Sequence, residues 1–116
     1  MKLESLNFKE TLNFLVDSGS RPNIIKESTV TPETFVDGNE ILKLNRITTH
    51  HVTTLGLALI DILKCPVSFH LEDDFLIPQH GILGSNFFKQ FQVNVNYQEN
   101  QLKWNGIIIP FELKKE

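Results

Sequence analysis

The chain has 116 residues, of which 41% are hydrophobic and 22% charged, with a formal net charge of −3. This length allows one domain with a real core but not two lobes, and the composition is far from that of a disordered chain. Lys and Arg are scattered apart from Lys114-Lys115, which argues against nucleic acid as the main ligand. We therefore expect a single domain over residues 1–116.

Cysteine usage and hydropathy bear on the compartment. The single cysteine, Cys65, excludes an internal disulfide, which fits a reducing compartment, and its apolar neighbours favour a buried structural thiol. No apolar run approaches the roughly 18 residues of a membrane span, and the N-terminus lacks the apolar stretch of a signal peptide. The sequence thus predicts a soluble intracellular domain that is neither secreted nor bound to a membrane.

Short strands separated by turn signals dominate the first half of the chain. Residues 6–10 and 12–17 are predicted strands around a tight turn, and residues 23–26 form a third. Asp37-Gly38-Asn39 is a strong turn signal. Residues 41–63 are predicted to form one long hairpin, with its turn within residues 48–53.

The second half contains the one helix candidate. Residues 65–71 are a predicted strand, followed by a solvated acidic turn at residues 72–74. Residues 86–91 are the predicted helix, directly after Gly84-Ser85. Strand character returns at residues 92–97, 102–104 and 107–111. The pattern as a whole predicts an all-β domain with one short helix.

Asp17 stands where a charge is unusual. Residues 14–20 read Phe-Leu-Val-Asp-Ser-Gly-Ser. Asp, Ser and Gly are common turn formers, so a plain turn is one interpretation. The preceding apolar residues, however, are those of a buried strand, where an isolated carboxylate is costly and needs a compensating partner. No other aspartate is followed by Ser/Thr-Gly, so chemistry that requires two such residues must take the second from another chain.

A second segment lies near the end of the chain. Residues 81–88 read Gly-Ile-Leu-Gly-Ser-Asn-Phe-Phe, in which two apolar residues lead to a glycine and then to polar residues that can cap a helix. Alone, this pattern is typical of any strand-to-helix turn. Its value lies in its order and spacing relative to residues 14–20.

Together the two segments resemble the retroviral-type (retropepsin-like) aspartic proteases, most closely those of gypsy-like LTR retrotransposons and insect errantiviruses. Residues 41–63 provide a hairpin of the length of that family's flap, and residues 93–97 and 102–104 look like its closing strands. The similarity covers residues 6–111. It implies a closed β-barrel with a flap hairpin and one short C-terminal helix, active as a homodimer with its site on the two-fold axis.

The resemblance also assigns roles to individual residues. It makes Asp17 the catalytic residue, with Ser18 bracing the two active-site loops across the dimer and Gly19 admitting the substrate backbone. Gly84 and Asn86 correspond to an element that supports the active-site loop from behind. Residues 48–53 correspond to the tip of the flap. The expected substrate contacts are Gly19, Ser20, Ile24, Thr48, Thr49, His50 and Ile82; for Ile24 and Ile82 a plain core position is equally open.

The chemistry explains why a dimer is expected. Peptide hydrolysis without a metal or a covalent nucleophile needs one group to deprotonate water and another to protonate the carbonyl oxygen. Two adjacent carboxylates cannot both ionise, so they share a proton and supply both roles. With one such aspartate per chain, the active unit is a symmetric homodimer. No cofactor or metal is expected, since His50-His51 point to opposite faces of a strand and lack further ligands at suitable spacing.

Some residues depart from the family pattern. Arg21-Pro22 replace acidic or small residues, Ser18 replaces the commoner threonine, Asn86 stands where gypsy-type enzymes often have aspartate, and residues 47–53 contain no glycine. Because residues 47–53 contain no glycine, the flap is expected to be stiffer or to close differently.

The sequence supports three functions. The first is an aspartic endopeptidase that processes a retroelement polyprotein in the cytoplasm or within virus-like particles. A domesticated dimeric descendant with lost or narrowed proteolysis is the alternative. A small β-barrel binding module in which Asp17 is only a turn residue is the third.

Overall fold

A computed structural model of the chain describes residues 1–17, 19–45, 51–73, 79–104 and 106–110. Within these ranges the chain forms short strands, one 3₁₀ helix at Glu27–Thr29 and one α-helix, α1, at Ser85–Phe91. The strands are β1 Lys2–Leu3, β2 Leu12–Val16, β3 Ile24–Lys26, β4 Lys43–Asn45, β5 His51–Thr53, β6 Gly56–Ile62, β7 Cys65–Glu72, β8 Gly81–Leu83, β9 Asn94–Asn96, β10 Gln101–Trp104 and β11 Ile107–Pro110.

Six strands form the main sheet, in the order β1-β2-β8-β3-β7-β6. The pairs β2–β8 and β3–β7 are parallel, and the other neighbours are antiparallel. The sheet is curled like half a barrel, and in the described residues its edge strands β1 and β6 do not pair with each other. The predicted mostly β fold with one short helix is thus confirmed, whereas a closed barrel stays a prediction.

Alternation along the strands divides the main sheet into two faces. In β2 the side chains of Leu12, Phe14 and Val16 are buried and those between them are half-buried, as expected for a strand with one face in a core. The inner face packs the largest fully buried side chains together with those of α1 and β10. These are Phe14, Phe69, Phe87, Leu12, Ile25, Ile60, Ile62, Leu83, Leu102 and Val67.

Helix α1 is held by an aromatic cluster against the small sheet β11-β10-β9. The ring of the buried Phe87 meets that of Trp104 edge-on at 5.3 Å, and Phe91 lies 4.5 Å from the same indole. The helix ends because Gln92 turns left-handed (φ 51°), and its N–H is directed to the carbonyl groups of Phe88 and Lys89. The helix predicted at residues 86–91 is confirmed and begins one residue earlier.

The predicted hairpin over residues 41–63 is divided differently in the structure. Lys43–Asn45 pairs with His51–Thr53, but Gly56–Ile62 pairs with Cys65–Glu72 in a second hairpin. The turn of that second hairpin is Leu63-Lys64, with φ of 49° and 68°. Both residues are left-handed, as in a type I′ turn, which normally carries Asn-Gly. Because Leu-Lys is not a turn signal, the sequence pattern did not reveal this hairpin.

This turn provides a stability prediction. The double variant L63N/K64G should be more stable by about 1 kcal/mol, because the left-handed backbone strains Leu and Lys but suits Asn and Gly. The measurement is the midpoint of thermal unfolding, which should rise by several degrees. The control L63A/K64A removes the same side chains without relieving the backbone, so an equal rise in both variants would contradict this explanation.

Three further predictions are corrected by the described residues. Residues 6–10 are not a strand, because the Ser5 hydroxyl accepts from the Asn7 N–H (3.1 Å) and its carbonyl from the Phe8 N–H (3.1 Å), which forms a turn. Glu72 belongs to β7 and is buried instead of lying in a solvated turn. Residues 92–97 form a strand only at Asn94–Asn96, since Gln92 ends the helix.

Candidate active site

Asp17 lies directly beyond the last residue of β2 and is half-buried. Its N–H donates to the Leu83 carbonyl of β8 (3.0 Å), at the end of the parallel pairing between β2 and β8. Its Oδ1 accepts the N–H of Gly19 (3.1 Å), and its carbonyl accepts the N–H of Ser20 (3.1 Å). The carboxylate is therefore fixed by its own turn. Ser18, the predicted brace across the dimer, lies outside the described residues.

The loop after Asp17 is tied to the start of α1. The first helical N–H groups, of Ser85 and Asn86, donate to the carbonyl groups of Ser20 (2.6 Å) and Arg21 (3.0 Å). These N–H groups have no partner within a helix, so the loop caps the helix while the helix fixes the loop. The Ser20 hydroxyl donates to the Pro22 carbonyl (3.2 Å), so this hydroxyl forms a hydrogen bond within the loop. Arg21 is exposed.

Gly84 lies where this loop and the helix meet. A Cβ atom built there would lie 2.4 Å from the Pro22 carbonyl oxygen and 2.6 Å from that of Ser20. Both contacts are to backbone atoms, which cannot move aside like a flexible side chain. Glycine is required at this position by close approach to the loop backbone, and its role in support of an active site stays a prediction.

Asn23 joins three parts of the site, and no sequence motif indicated it. Its side chain is buried, its Oδ1 accepts the Gly84 N–H (2.9 Å), and its Nδ2 donates to the Ser68 carbonyl (3.1 Å). Its own carbonyl accepts the N–H of His70 (2.8 Å). The sequence shows only a polar residue at the start of a predicted apolar strand, which does not indicate its partners.

A row of side chains crosses the outer face of the main sheet, the face opposite the core. Register pairs Leu15 with Ile82, Ile82 with Ile24, Ile24 with His70 and His70 with Leu57. Residues paired in register point to the same side, so these five side chains form one line, here called the outer row. Asp17 follows β2 two residues beyond Leu15, so continued alternation would bring its side chain to the same side.

The outer row contains both apolar residues expected in substrate pockets. Ile82 is half-buried, and Ile24 is buried although it is not part of the hydrophobic core cluster. Register thus places Ile24 and Ile82 side by side and outside the hydrophobic core cluster, and their contact with a substrate stays a prediction. The remaining expected contacts, Thr48, Thr49 and His50, lie outside the described residues.

His70 is the one titratable member of the outer row. Burial lowers the pKa of its imidazole below the ordinary value of 6.5, and the nearby carboxylate of Glu40 opposes this by a smaller amount. Its ring is therefore neutral at neutral pH. Its Nδ1 atom is buried and has no hydrogen-bond partner among the described residues.

Two searches of the described residues concern other kinds of site. Within the described ranges, no three His, Cys, Asp or Glu residues come together as a set of metal ligands. Across the same part of the chain, no helix has the length and apolar character needed to cross a membrane.

Comparison with known proteins identifies the fold. No protein-family model and no curated protein sequence matches the chain. Among solved structures, the crystal structure of the retroviral protease-like domain of Ddi1 from Leishmania major is similar, with a TM-score of 0.65. The similarity covers 97% of this chain and 93% of that chain at 16% sequence identity. At this identity the likeness shows the fold alone, and the chain therefore has a retropepsin-like fold.

Proposed function

We propose that the chain is the protease domain of a homodimeric aspartic endopeptidase, with Asp17 of each copy contributing one carboxylate to a shared site. The observation that supports this most is the position of Asp17 in a retropepsin-like fold. The carboxylate ends a buried strand, is held by the Gly19 N–H, and is followed by a loop that Gly84 and α1 support from behind. An exposed turn would need none of this support.

The proposed mechanism follows from placing two such carboxylates together. They share one proton, because two negative charges so close cannot both persist. The ionised member takes a proton from a water molecule, which attacks the peptide carbonyl carbon. The protonated member donates its proton to the carbonyl oxygen, which gives a tetrahedral diol. In the second step the carboxylate of that member takes a proton from one hydroxyl group as the carbonyl reforms and the C–N bond breaks. The first member gives the proton it took from water to the leaving amine, so the pair returns to its starting state.

The biological role is the finer part of the proposal. The segments at residues 14–20 and 81–88 support an origin in a gypsy-like LTR retrotransposon or errantivirus, with a polyprotein as substrate. The enzyme would then act in the cytoplasm or within virus-like particles, as a domain over residues 1–116. Two curled sheets facing each other would complete the closed site. The alternative is a domesticated dimer with lost or narrowed proteolysis, which the altered residues Arg21-Pro22 keep open.

The dimer offers the first test. Sedimentation should show an assembly of two chains. A statine-containing peptide mimics the tetrahedral intermediate of this reaction, and it should bind at about one site for every two chains. The same peptide should also block cleavage of a retroelement polyprotein substrate. A strictly monomeric protein at high concentration would refute the shared site. A dimer that binds the inhibitor but cleaves nothing would support the domesticated alternative.

A further inference from the structure

The outer row has one polar member among four apolar ones. His70 lies between Ile24 on one side and Leu57 on the other, both in register with it. Directly paired neighbours of this kind have Cβ atoms about 5 Å apart, so the imidazole is flanked by two aliphatic side chains. Across the sheet, the same row continues through Ile82 to Leu15, beside Asp17.

The imidazole has an unused hydrogen-bonding position. The backbone N–H of His70 donates to the Asn23 carbonyl (2.8 Å). The buried Nδ1 atom of its ring has no hydrogen-bond partner among the residues described. A buried polar atom without a partner is costly, so a group that reaches it is favoured. The ring is half-buried, and a half-turn about χ2 exchanges Nδ1 with a carbon, so the nitrogen has two alternative positions on the ring edge.

Charged residues lie on the elements next to His70. They are Lys26 on β3, Glu72 on β7, and Asp37 and Glu40 in the segment that leads to β4. Burial has the larger effect on its pKa and opposes the charged form, while Glu40 favours it. The ring at neutral pH is thus an uncharged group with one donor and one acceptor.

We propose that His70, flanked by Ile24 and Leu57, forms a subsite that selects a carboxamide side chain, Gln or Asn, in an extended peptide. This inference rests on the proposed function, since it takes the face of Asp17 as the one that binds the substrate. A carboxamide carries both a donor and an acceptor, so it pairs with a neutral imidazole in either tautomer. An apolar side chain would leave the nitrogen unpaired, and a carboxylate would lose its hydration without gaining a cation.

The test uses the dimer of the Asp17→Asn variant, which binds peptides without cleaving them. Its ligands are statine-containing octapeptides in which one flanking position at a time carries Gln, Met or Glu, and affinity is measured by calorimetry at pH 7. At one position Gln should bind at least about tenfold more tightly than the similarly shaped Met, because only Gln pairs the nitrogen. In D17N/H70L this preference should vanish while the Met peptide binds as well or better.

Two additional measurements keep the outcomes distinct. The variant D17N/H70M provides a second apolar replacement should leucine prevent folding. As the pH falls below the lowered pKa of His70, the ring gains a proton, so the Glu peptide should gain affinity relative to the Gln peptide, and this gain should be absent in D17N/H70L.

The results separate this inference from the proposed function. Discriminating binding by a wild-type protein that cleaves nothing would sustain the subsite and refute the endopeptidase. Cleavage at equal rates of peptides with Gln and with Met at every position would refute the subsite and sustain the endopeptidase. Absence of binding by any of the peptides would overturn the subsite.

Discussion

Replacing Asp17 by asparagine is expected to lower the rate of peptide cleavage by at least about 10³-fold, because an amide can neither accept the proton of water nor share one with its mate. The fold should persist. Asn retains an Oδ1 that can accept the Gly19 N–H, and the bonds that join residue 17 to Leu83 and Ser20 are made by the backbone. Cleavage of a polyprotein peptide is measured together with sedimentation, which should show an unchanged dimer.

Two controls sharpen this prediction. Asp61→Asn removes the same charge from an exposed position on β6, so it should leave cleavage unchanged. Equal amounts of wild-type and D17N chains are mixed under conditions of subunit exchange. The mixture should have about a quarter of the activity of wild-type protein at the same total chain concentration, since only one dimer in four carries both carboxylates. Retention of about half would mean that each chain works alone. Full activity of D17N itself would exclude Asp17 as the catalytic residue.

The second large effect is expected at Gly84. Gly84→Ala should destabilise the domain by about 3 kcal/mol, because the added methyl group would lie 2.4 Å, 2.6 Å and 2.8 Å from the backbone carbonyl oxygens of residues 22, 20 and 21. The loop that follows Asp17 must shift to accommodate it. We therefore expect kcat/KM to fall by about 100-fold even in the fraction that stays folded. Urea unfolding and peptide cleavage measure the two effects separately.

Gly38→Ala is the matched control for this variant. A Cβ atom at Gly38 meets nothing within 4 Å, so its effect on stability should stay within about 0.5 kcal/mol. If both variants behaved alike, the close approach at Gly84 would have no energetic consequence, and its role behind the loop would have to be abandoned.

Local signals account for what was predictable about the site. The apolar run before Asp17 and the glycine before Ser85 each describe a short stretch of backbone, and both stretches have the expected form. Asn23 could not be found in this way, because its partner Gly84 is 61 residues away and the bond exists only once β3 and β8 are neighbours. His70 was missed for the same reason, since its flanking residues come from two other strands.

The sequence by itself determined the mostly β class, the short helix and the candidate catalytic turn, because alternation, capping and turn chemistry act over a few residues. Only the tertiary structure decided that Gly56–Ile62 pairs forward with Cys65–Glu72, since the left-handed Leu63-Lys64 turn is imposed by the sheet against local preference. The tertiary structure also determined which apolar residues lie outside the hydrophobic core cluster. Ile24 and Ile82 lie together on the outer face because strand register, which links distant segments, determines the face on which each side chain lies.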